Sequence, residues 1–159
     1  MSASYSIVVP QVVAPNQPAV FIDSPCPCRE GLVFKKTTGV FLLASNAPQN
    51  NCTCTCGCRR VYETNYEVEV HANIEIPEGG TVEEIQLAIA VDGIIDPSSL
   101  MSFTPAAVEV AGNVGASIIV PVISLCGCDS IAVVNASTQN ITVNNASIVF
   151  DYSGVNRIR

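Results

Sequence analysis

Hydrophobic and polar residues alternate strictly through the middle of the chain. From Tyr66 to Ile76 every second residue is hydrophobic, and the residues between them are polar: Glu67, Glu69, His71, Asn73 and Glu75. Successive side chains of a β-strand point to opposite faces, so this pattern predicts a strand with one buried and one solvated face, as in antiparallel sheets. A second alternating stretch covers residues 85–91, and Asp92-Gly93 after it is a turn signal.

Shorter patterns of the same kind recur about every ten residues along the rest of the chain. They predict strands at residues 5–9, 12–13, 19–22, 31–35, 39–44, 100–103, 106–111, 116–123, 130–134 and 141–152. Turn residues separate these stretches, and no window shows sustained helical spacing. A chain of 159 residues is long enough for one domain with its own core. We therefore predict an all-β fold, a single antiparallel jelly-roll sandwich of about eight to ten strands over residues 25–159.

Residues 1–24 form a separate, extended segment that Pro10, Pro15 and Pro18 interrupt. Proline is tolerated in edge strands but not in the middle of a sheet. The segment is therefore either the first strand of the domain, which is our preferred interpretation, or an arm that adds a strand to a neighbouring copy. The hydrophobic residues that would make the contacts of such an assembly arm are Tyr5, Ile7, Val9, Val12 and Val13.

The eight cysteines fall into three clusters with one residue between neighbours. A central row is flanked by an upstream and a downstream pair: Cys52, Cys54, Cys56 and Cys58, then Cys26 and Cys28, then Cys126 and Cys128. In an extended strand the four central thiols share one face, and a disulfide between neighbours there would be strained. They should find partners elsewhere, and the flanking four match them in number. The 105 possible pairings leave open whether bridges form within one copy or between copies.

Disulfide crosslinking is the preferred role of these cysteines, because Pro and Gly place the clusters in turns or at strand edges where a partner can reach them. A disulfide contributes about 2–4 kcal/mol, which a domain with its own core hardly needs, so we interpret the bridges as joints between subunits. Thiolates also suit zinc or copper(I). Structural zinc sites, however, usually have two to four residues between paired cysteines, so we expect no bound metal and no other cofactor. Buried reduced thiols are a third possibility.

Charge restricts the range of partners. Only 13% of residues are charged and 48% are hydrophobic, which predicts that other copies of the protein cover much of the surface. A net charge of −7 without a basic patch argues against nucleic acid and anionic membranes as partners. The N-terminus lacks the charged region of a secretory signal, and no hydrophobic stretch reaches the roughly twenty residues of a membrane span. We expect synthesis in the cytoplasm without a signal peptide, and a final location that is extracellular or on a spore or virion surface.

Catalytic residues are sparse. The single histidine, His71, lies on the predicted polar strand face between Glu69 and Asn73, and Glu67 and Glu75 share that face. Such residues could serve acid–base chemistry, but a solvated strand face explains them as well. The sequence contains no glycine-rich phosphate loop and no zinc-protease motif. We predict that the protein is not an enzyme.

Several motifs along the chain resemble those of one known family. They are NQPAVFID at residues 16–23, GLVF at 31–34, TGVFLL at 38–43, IPEGGTV at 76–82, LAIAVDG at 87–93, TPAAVE at 104–109 and NASTQNITVNNASIV at 135–149. Together they resemble small structural proteins of phages and of clostridia-like bacterial genomes, whose fold is similar to the jelly roll of tumour necrosis factor and of spore glycoproteins. The resemblance covers about residues 10–152. It implies a non-enzymatic surface component, often a trimer, on a virion or spore.

The cysteine content departs from that family, because the row from Cys52 to Cys58 is richer than its pattern. This enrichment resembles bacterial endospore appendage subunits, which are jelly-roll proteins joined into fibres through cysteines. The function we predict is that of a self-assembling structural subunit of a disulfide-hardened surface or extracellular fibre or appendage. The alternative is a phage virion decoration or head-fibre trimer, and the second alternative is a thiolate metal-binding module.

Overall fold

The computed structural model describes residues 2–23, 33–45, 62–123 and 129–157. Twelve strands are present there: β1 Ser2–Ile7, β2 Gln11–Val13, β3 Ile22–Asp23, β4 Val33–Lys35, β5 Val40–Leu43, β6 Tyr62–Glu75, β7 Ile85–Val91, β8 Ile94–Ile95, β9 Met101–Phe103, β10 Gly112–Ile123, β11 Asp129–Asn135 and β12 Ile141–Arg157. Within these ranges the helical structure is one 3-10 turn, Pro97–Ser99. None of the described helical structure is long and apolar enough to cross a membrane.

The strands form two antiparallel sheets. The first sheet has the order β10-β6-β12-β1-β3, with β2 also pairing with β12. The second sheet has the order β4-β5-β11-β7-β8, with β9 also pairing with β7. The chain crosses repeatedly between the sheets, for example from β3 to β4, from β5 to β6 and from β10 to β11. This architecture confirms the predicted antiparallel jelly-roll sandwich.

The alternation in β6 has the predicted consequence. Val68, Val70 and Ile74 are buried between the sheets, whereas the side chains of Glu67, Glu69 and His71 are exposed on the outer face of the first sheet. β6 lies between β10 and β12 and pairs with both along most of its length. The strand with the clearest sequence pattern therefore lies in the interior of its sheet. This position explains why the sequence indicates both the two-residue period of β6 and which of its faces is buried.

An aromatic cluster links the two sheets in the core. The ring of Phe41, on β5 of the second sheet, lies 4.8 Å from that of Tyr5 and 5.0 Å from that of Phe150, both on the first sheet. The centroid of the Phe21 ring lies 5.8 Å from the centroid of the Phe41 ring. The tilted arrangements are those that aromatic quadrupoles favour, so Phe41 contributes more than its buried area alone.

The N-terminal segment packs on its own sandwich. β1 pairs antiparallel with β12, from Ser2 opposite Asp151 to Ile7 opposite Ala146. Of the five residues proposed for an assembly arm, Tyr5, Ile7 and Val13 are buried in the core, and Val9 and Val12 are exposed. An arm exchanged between two copies would make these same contacts on the neighbour, so the assembly arm stays a prediction.

The structure differs from the prediction for two of the strands: one is absent and the other is shorter. Residues 106–111 do not form a strand, because Glu109 has a left-handed backbone with φ of 58° and its N–H donates to the Ile76 carbonyl at 2.8 Å. The chain turns there, and β10 starts only at Gly112. The first strand ends at Ile7 rather than at Val9, because Val8 and Val9 belong to an exposed link between β1 and β2.

Candidate assembly end of the sandwich

All eight cysteines lie outside the described residues, in the segments 24–32, 46–61 and 124–128. The predicted crosslinking residues Cys26, Cys28, Cys52, Cys54, Cys56, Cys58, Cys126 and Cys128 therefore have no structural description. The described residues on either side of these segments do have one. They are Asp23 and Val33, Ser45 and Tyr62, and Ile123 and Asp129.

In the first sheet, the strand ends next to the cysteine segments come together. The first residues of β6 pair with the last residues of β10 and β12, since Glu63 is opposite Ile123 and Tyr62 is opposite Arg157. In the second sheet, Leu43 near the end of β5 is opposite both Val33, which starts β4, and Asp129, which starts β11.

Hydrogen bonds join these two groups of strand ends across the sandwich. Ser45 Oγ lies 2.9 Å from Thr64 Oγ1, and the Tyr66 hydroxyl donates to the Ala44 carbonyl. Thr64 and Tyr66 are fully buried, so these contacts hold β5 and β6 together where the chain leaves one sheet for the other. β3 runs toward the same end, because Asp23 is opposite Tyr5. We call this end of the sandwich the cysteine end, because the segments 46–61 and 124–128 start and finish there, and the segment 24–32 finishes there at Val33.

Two carboxylates sit side by side at this end. Partial burial raises the pKa of Asp129 above its ordinary value of 3.8, and the negative charge of Asp92 raises it further. Asp92 Oδ1 accepts hydrogen bonds from Ser130 N at 2.8 Å and from Ser130 Oγ at 3.2 Å. These bonds fix the start of β11 to the turn between β7 and β8. Across the described ranges, no three His, Cys, Asp or Glu side chains are grouped as a metal site would require.

The single histidine lies elsewhere, on the outer face of the first sheet. His71 Nε2 is 2.8 Å from Glu69 Oε1 on the same strand, and both side chains are exposed. Glu67 is exposed on the same face, and Glu75 is half-buried at the last position of β6. These residues are arranged as the solvated strand face that their alternation predicts.

One surface of interest was not predicted from the sequence. β10 is the edge strand of the first sheet, and its outward residues Ile119, Pro121 and Ile123 are exposed. The sequence does contain a signal for this surface, because residues 110–128 include no charged side chain. Knowing that this neutral stretch forms an edge requires the sheet order, which the local pattern does not contain.

Comparison with protein-family models gives no match, and no curated protein matches the chain in sequence. Solved structures do match in fold. One is the Eiger tumour necrosis factor of S. frugiperda, with a TM-score of 0.65 and 10% identity over 96% of this chain and 93% of that chain. Another is the globular domain of a zebrafish complement 1qA protein, with a TM-score of 0.52 and 12% identity over 98% of both chains. At these identities the likeness concerns the fold alone: this chain is a jelly roll of the kind found in those two proteins.

Proposed function

We propose that the protein is a structural subunit that assembles with copies of itself into a surface or extracellular fibre or appendage, and that disulfides at the cysteine end join the copies. One observation carries this proposal. Two of the three segments that contain the cysteines, 46–61 and 124–128, start and finish at the same end of the sandwich, and the third, 24–32, follows a strand directed toward that end and finishes there. The loops at the other end contain no cysteine.

Three of the cysteines are close in sequence to described residues at that end. Cys128 is adjacent to Asp129, Cys126 is three residues from Ile123, and Cys58 is four residues from Tyr62. Cysteines this close in sequence to the described strand ends suit the joints between subunits that we propose.

The core makes internal bridges unnecessary for folding. Hydrophobic side chains from both sheets are buried in one continuous cluster that extends from Tyr5 on β1 to Phe150 on β12. A disulfide contributes about 2–4 kcal/mol, so four bridges would add stability comparable to that of an entire domain. So many bridges at one end are more readily explained by durable joining of subunits than by the needs of the fold.

The test compares oxidised and reduced protein on denaturing gels. Air-oxidised protein should give a ladder of dimers and larger species without reductant, and a single monomer band with reductant. Replacing Cys52, Cys54, Cys56 and Cys58 by Ser should remove most of the ladder. A variant with Ser at Cys126 and Cys128 removes two of the four flanking cysteines that could bond to the central row, and it should remove only part of the ladder. A monomer in both lanes of the unmodified protein would overturn the proposal.

Two further candidates give different results in the same experiments. A virion decoration or head-fibre trimer, which the family resemblance favours, would have a three-subunit mass in native solution and a monomer band on denaturing gels. A thiolate metal module, which the density of cysteines favours, would retain zinc or copper in stoichiometric amounts when purified under reductant. Metal content and native mass therefore separate all three candidates.

A further inference from the structure

We propose that β10 is a self-pairing edge, along which two copies of the chain join antiparallel about a two-fold axis to form a continuous sheet across both sandwiches. This dimer needs no disulfide. Only its consequence for polymer formation, described below, rests on the proposed function.

β10 is a long and regular edge. It pairs with β6 over all twelve residues, from Gly112 opposite Ile74 to Ile123 opposite Glu63, without a bulge. In the described part of the chain no strand pairs with its other side. The opposite edge of the first sheet, β3, has only two residues and follows Pro18 closely. β10 is therefore the edge at which a partner strand can be added.

Pro121 shows which backbone groups point outward. Proline has no N–H, and in a sheet its nitrogen faces away from the neighbouring strand. Alternate residues of a strand direct their backbone groups to the same side, so Gly115, Ser117 and Ile119 present both N–H and C=O at the free edge. The even-numbered residues between them bond to β6. The edge thus offers an uninterrupted set of donors and acceptors over five residues.

β10 has few of the features that normally prevent a sheet edge from pairing with another strand. Natural edges carry lysines, inward-pointing charges, bulges or very short strands. β10 has no charged residue and no bulge, and its single proline lies near one end. The side chain of Ile119 is 70% exposed, in the middle of the exposed part of the edge. Such a strand is expected to be covered by another strand.

Charge identifies a second copy as the partner. The protein carries a net charge of −7, so two copies repel unless they meet on a neutral surface. The nearest carboxylates, Glu63, Glu67 and Glu69, lie on β6, one strand inside the edge. In a β6-β10-β10-β6 arrangement the two β6 strands are three spacings apart, roughly 14 Å, which exceeds the Debye length of about 8 Å in physiological salt. A neutral edge offers no attraction to a charged foreign peptide.

The donors and acceptors also match in an antiparallel pair. With the two-fold axis at Ser117, Gly115 of one copy lies opposite Ile119 of the other. Every N–H of these three residues then has a carbonyl partner, and Pro121 falls outside the paired centre. Because the cysteine end lies at the Ile123 end of β10, this pairing directs the two cysteine ends in opposite directions. A dimer with a disulfide-forming surface at each end polymerises into a linear fibre without closing.

The test measures the mass of the full chain in excess reductant by sedimentation velocity. The unmodified protein should form a dimer at about 50 µM chain. Ile119→Lys adds a charge to the centre of the edge and should weaken the dimer at least tenfold. Ile94→Lys is the matched control, since Ile94 is 75% exposed on β8 of the second sheet, and it should leave the dimer unchanged. Thermal melting of each variant checks that it is folded.

Ser117→Pro provides a second, independent variant. It removes an outward N–H and no backbone hydrogen bond to β6. The one side-chain bond that it removes, from Ser117 Oγ to Glu67 Oε1 at 3.3 Å, is exposed, so the monomer should fold and the dimer should be lost. A monomer or trimer for the unmodified protein in reductant, or equal behaviour of Ile119→Lys and Ile94→Lys, would overturn the inference. Because reductant removes disulfides, a dimer without a gel ladder contradicts only the proposed function. A gel ladder without this dimer contradicts only the edge pairing.

Discussion

At the scale of single residues, one buried amide holds the N-terminal segment against the sandwich. Asn135 is fully buried, and its Nδ2 donates to the Val13 carbonyl at 2.9 Å and to the Gln139 carbonyl at 2.8 Å. Its Oδ1 accepts from Ser137 N at 2.8 Å. One side chain therefore satisfies three backbone groups, one at the end of β2 and two in the turn between β11 and β12. Apolar residues cannot replace it without leaving those groups unpaired.

We predict that Asn135→Ala destabilises the protein by about 2–4 kcal/mol, because two carbonyls and one N–H lose their partner in a buried site. The melting temperature should fall by roughly 5–10 °C. Hydrogen exchange should accelerate at the Asn16 amide, which donates to the Asn135 backbone carbonyl. Asn140→Ala, in the exposed part of the same turn, is the control. Equal melting temperatures for the two variants would contradict this role.

Asp129 and Asp96 should shift stability in opposite directions with pH. The pKa of Asp129 is raised by partial burial and by Asp92, so its ionised form is less favourable in the folded protein. The pKa of Asp96 is lowered, because its carboxylate accepts hydrogen bonds from the Ser98 hydroxyl and N–H. The cost of ionising Asp129 is absent below pH 3.8, where the group is protonated in both states, and is complete above the folded pKa. The contribution of Asp96 is present above pH 3.8 and disappears as the pH falls through its lowered folded pKa.

At neutral pH, Asp129→Asn should therefore raise the melting temperature, and Asp96→Asn should lower it. The difference for Asp129→Asn should disappear as the pH falls from the raised folded pKa to 3.8, and the difference for Asp96→Asn should disappear as the pH falls from 3.8 through the lowered folded pKa. Melting curves recorded between about pH 2.5 and about pH 7 measure these differences, because this range includes the ordinary pKa of an aspartate carboxyl group. A change of the same sign in both variants would contradict the assignment.

At the scale of elements, Phe41 connects the two sheets. We predict that Phe41→Ala lowers the free energy of unfolding by about 3–5 kcal/mol. In the unmodified protein three aromatic rings contact the Phe41 side chain, and alanine would leave a cavity between them. Phe41→Leu fills most of the volume and should cost about 1–1.5 kcal/mol. Chemical denaturation measures both values. A loss below about 1 kcal/mol for the alanine variant would show that the cluster does not hold the sheets together.

The sequence predicted the strands whose pattern depends on local burial. β6 and the first part of β12 have one face in the core, so hydrophobic and polar residues alternate along them. In β7, large hydrophobic residues alternate with Gln86, Ala88 and Ala90, and the positions of all three strands agree with the prediction. Residues 106–111 misled the prediction, because their hydrophobic content suggested a strand where Glu109 adopts a left-handed turn. The turn is fixed by a bond to Ile76, which is distant in sequence.

At the scale of the whole molecule, different parts of the surface carry different kinds of residues. The cysteine-bearing segments all finish at one end, the carboxylates of Glu67 and Glu69 lie on the outer face of the first sheet, and the β10 edge is neutral. The clustering of cysteines was visible in the sequence. Their shared end was not, because it depends on the crossings from β3 to β4, from β5 to β6 and from β10 to β11. Long-range strand order decides these crossings, and residue spacing carries no record of it.

The central claim is that disulfides at the cysteine end join different copies of the chain. The most direct measurement mixes reduced ¹⁴N-labelled and ¹⁵N-labelled protein in equal amounts, oxidises the mixture, and identifies bridged peptides by mass spectrometry after digestion. Bridges between copies predict that about half of the bridged peptides are ¹⁴N–¹⁵N hybrids, as random pairing in an equal mixture requires. Peptides from the segments 24–32, 46–61 and 124–128 should carry them. Bridged peptides of only one label would show that every disulfide closes within a single copy, and would contradict the account.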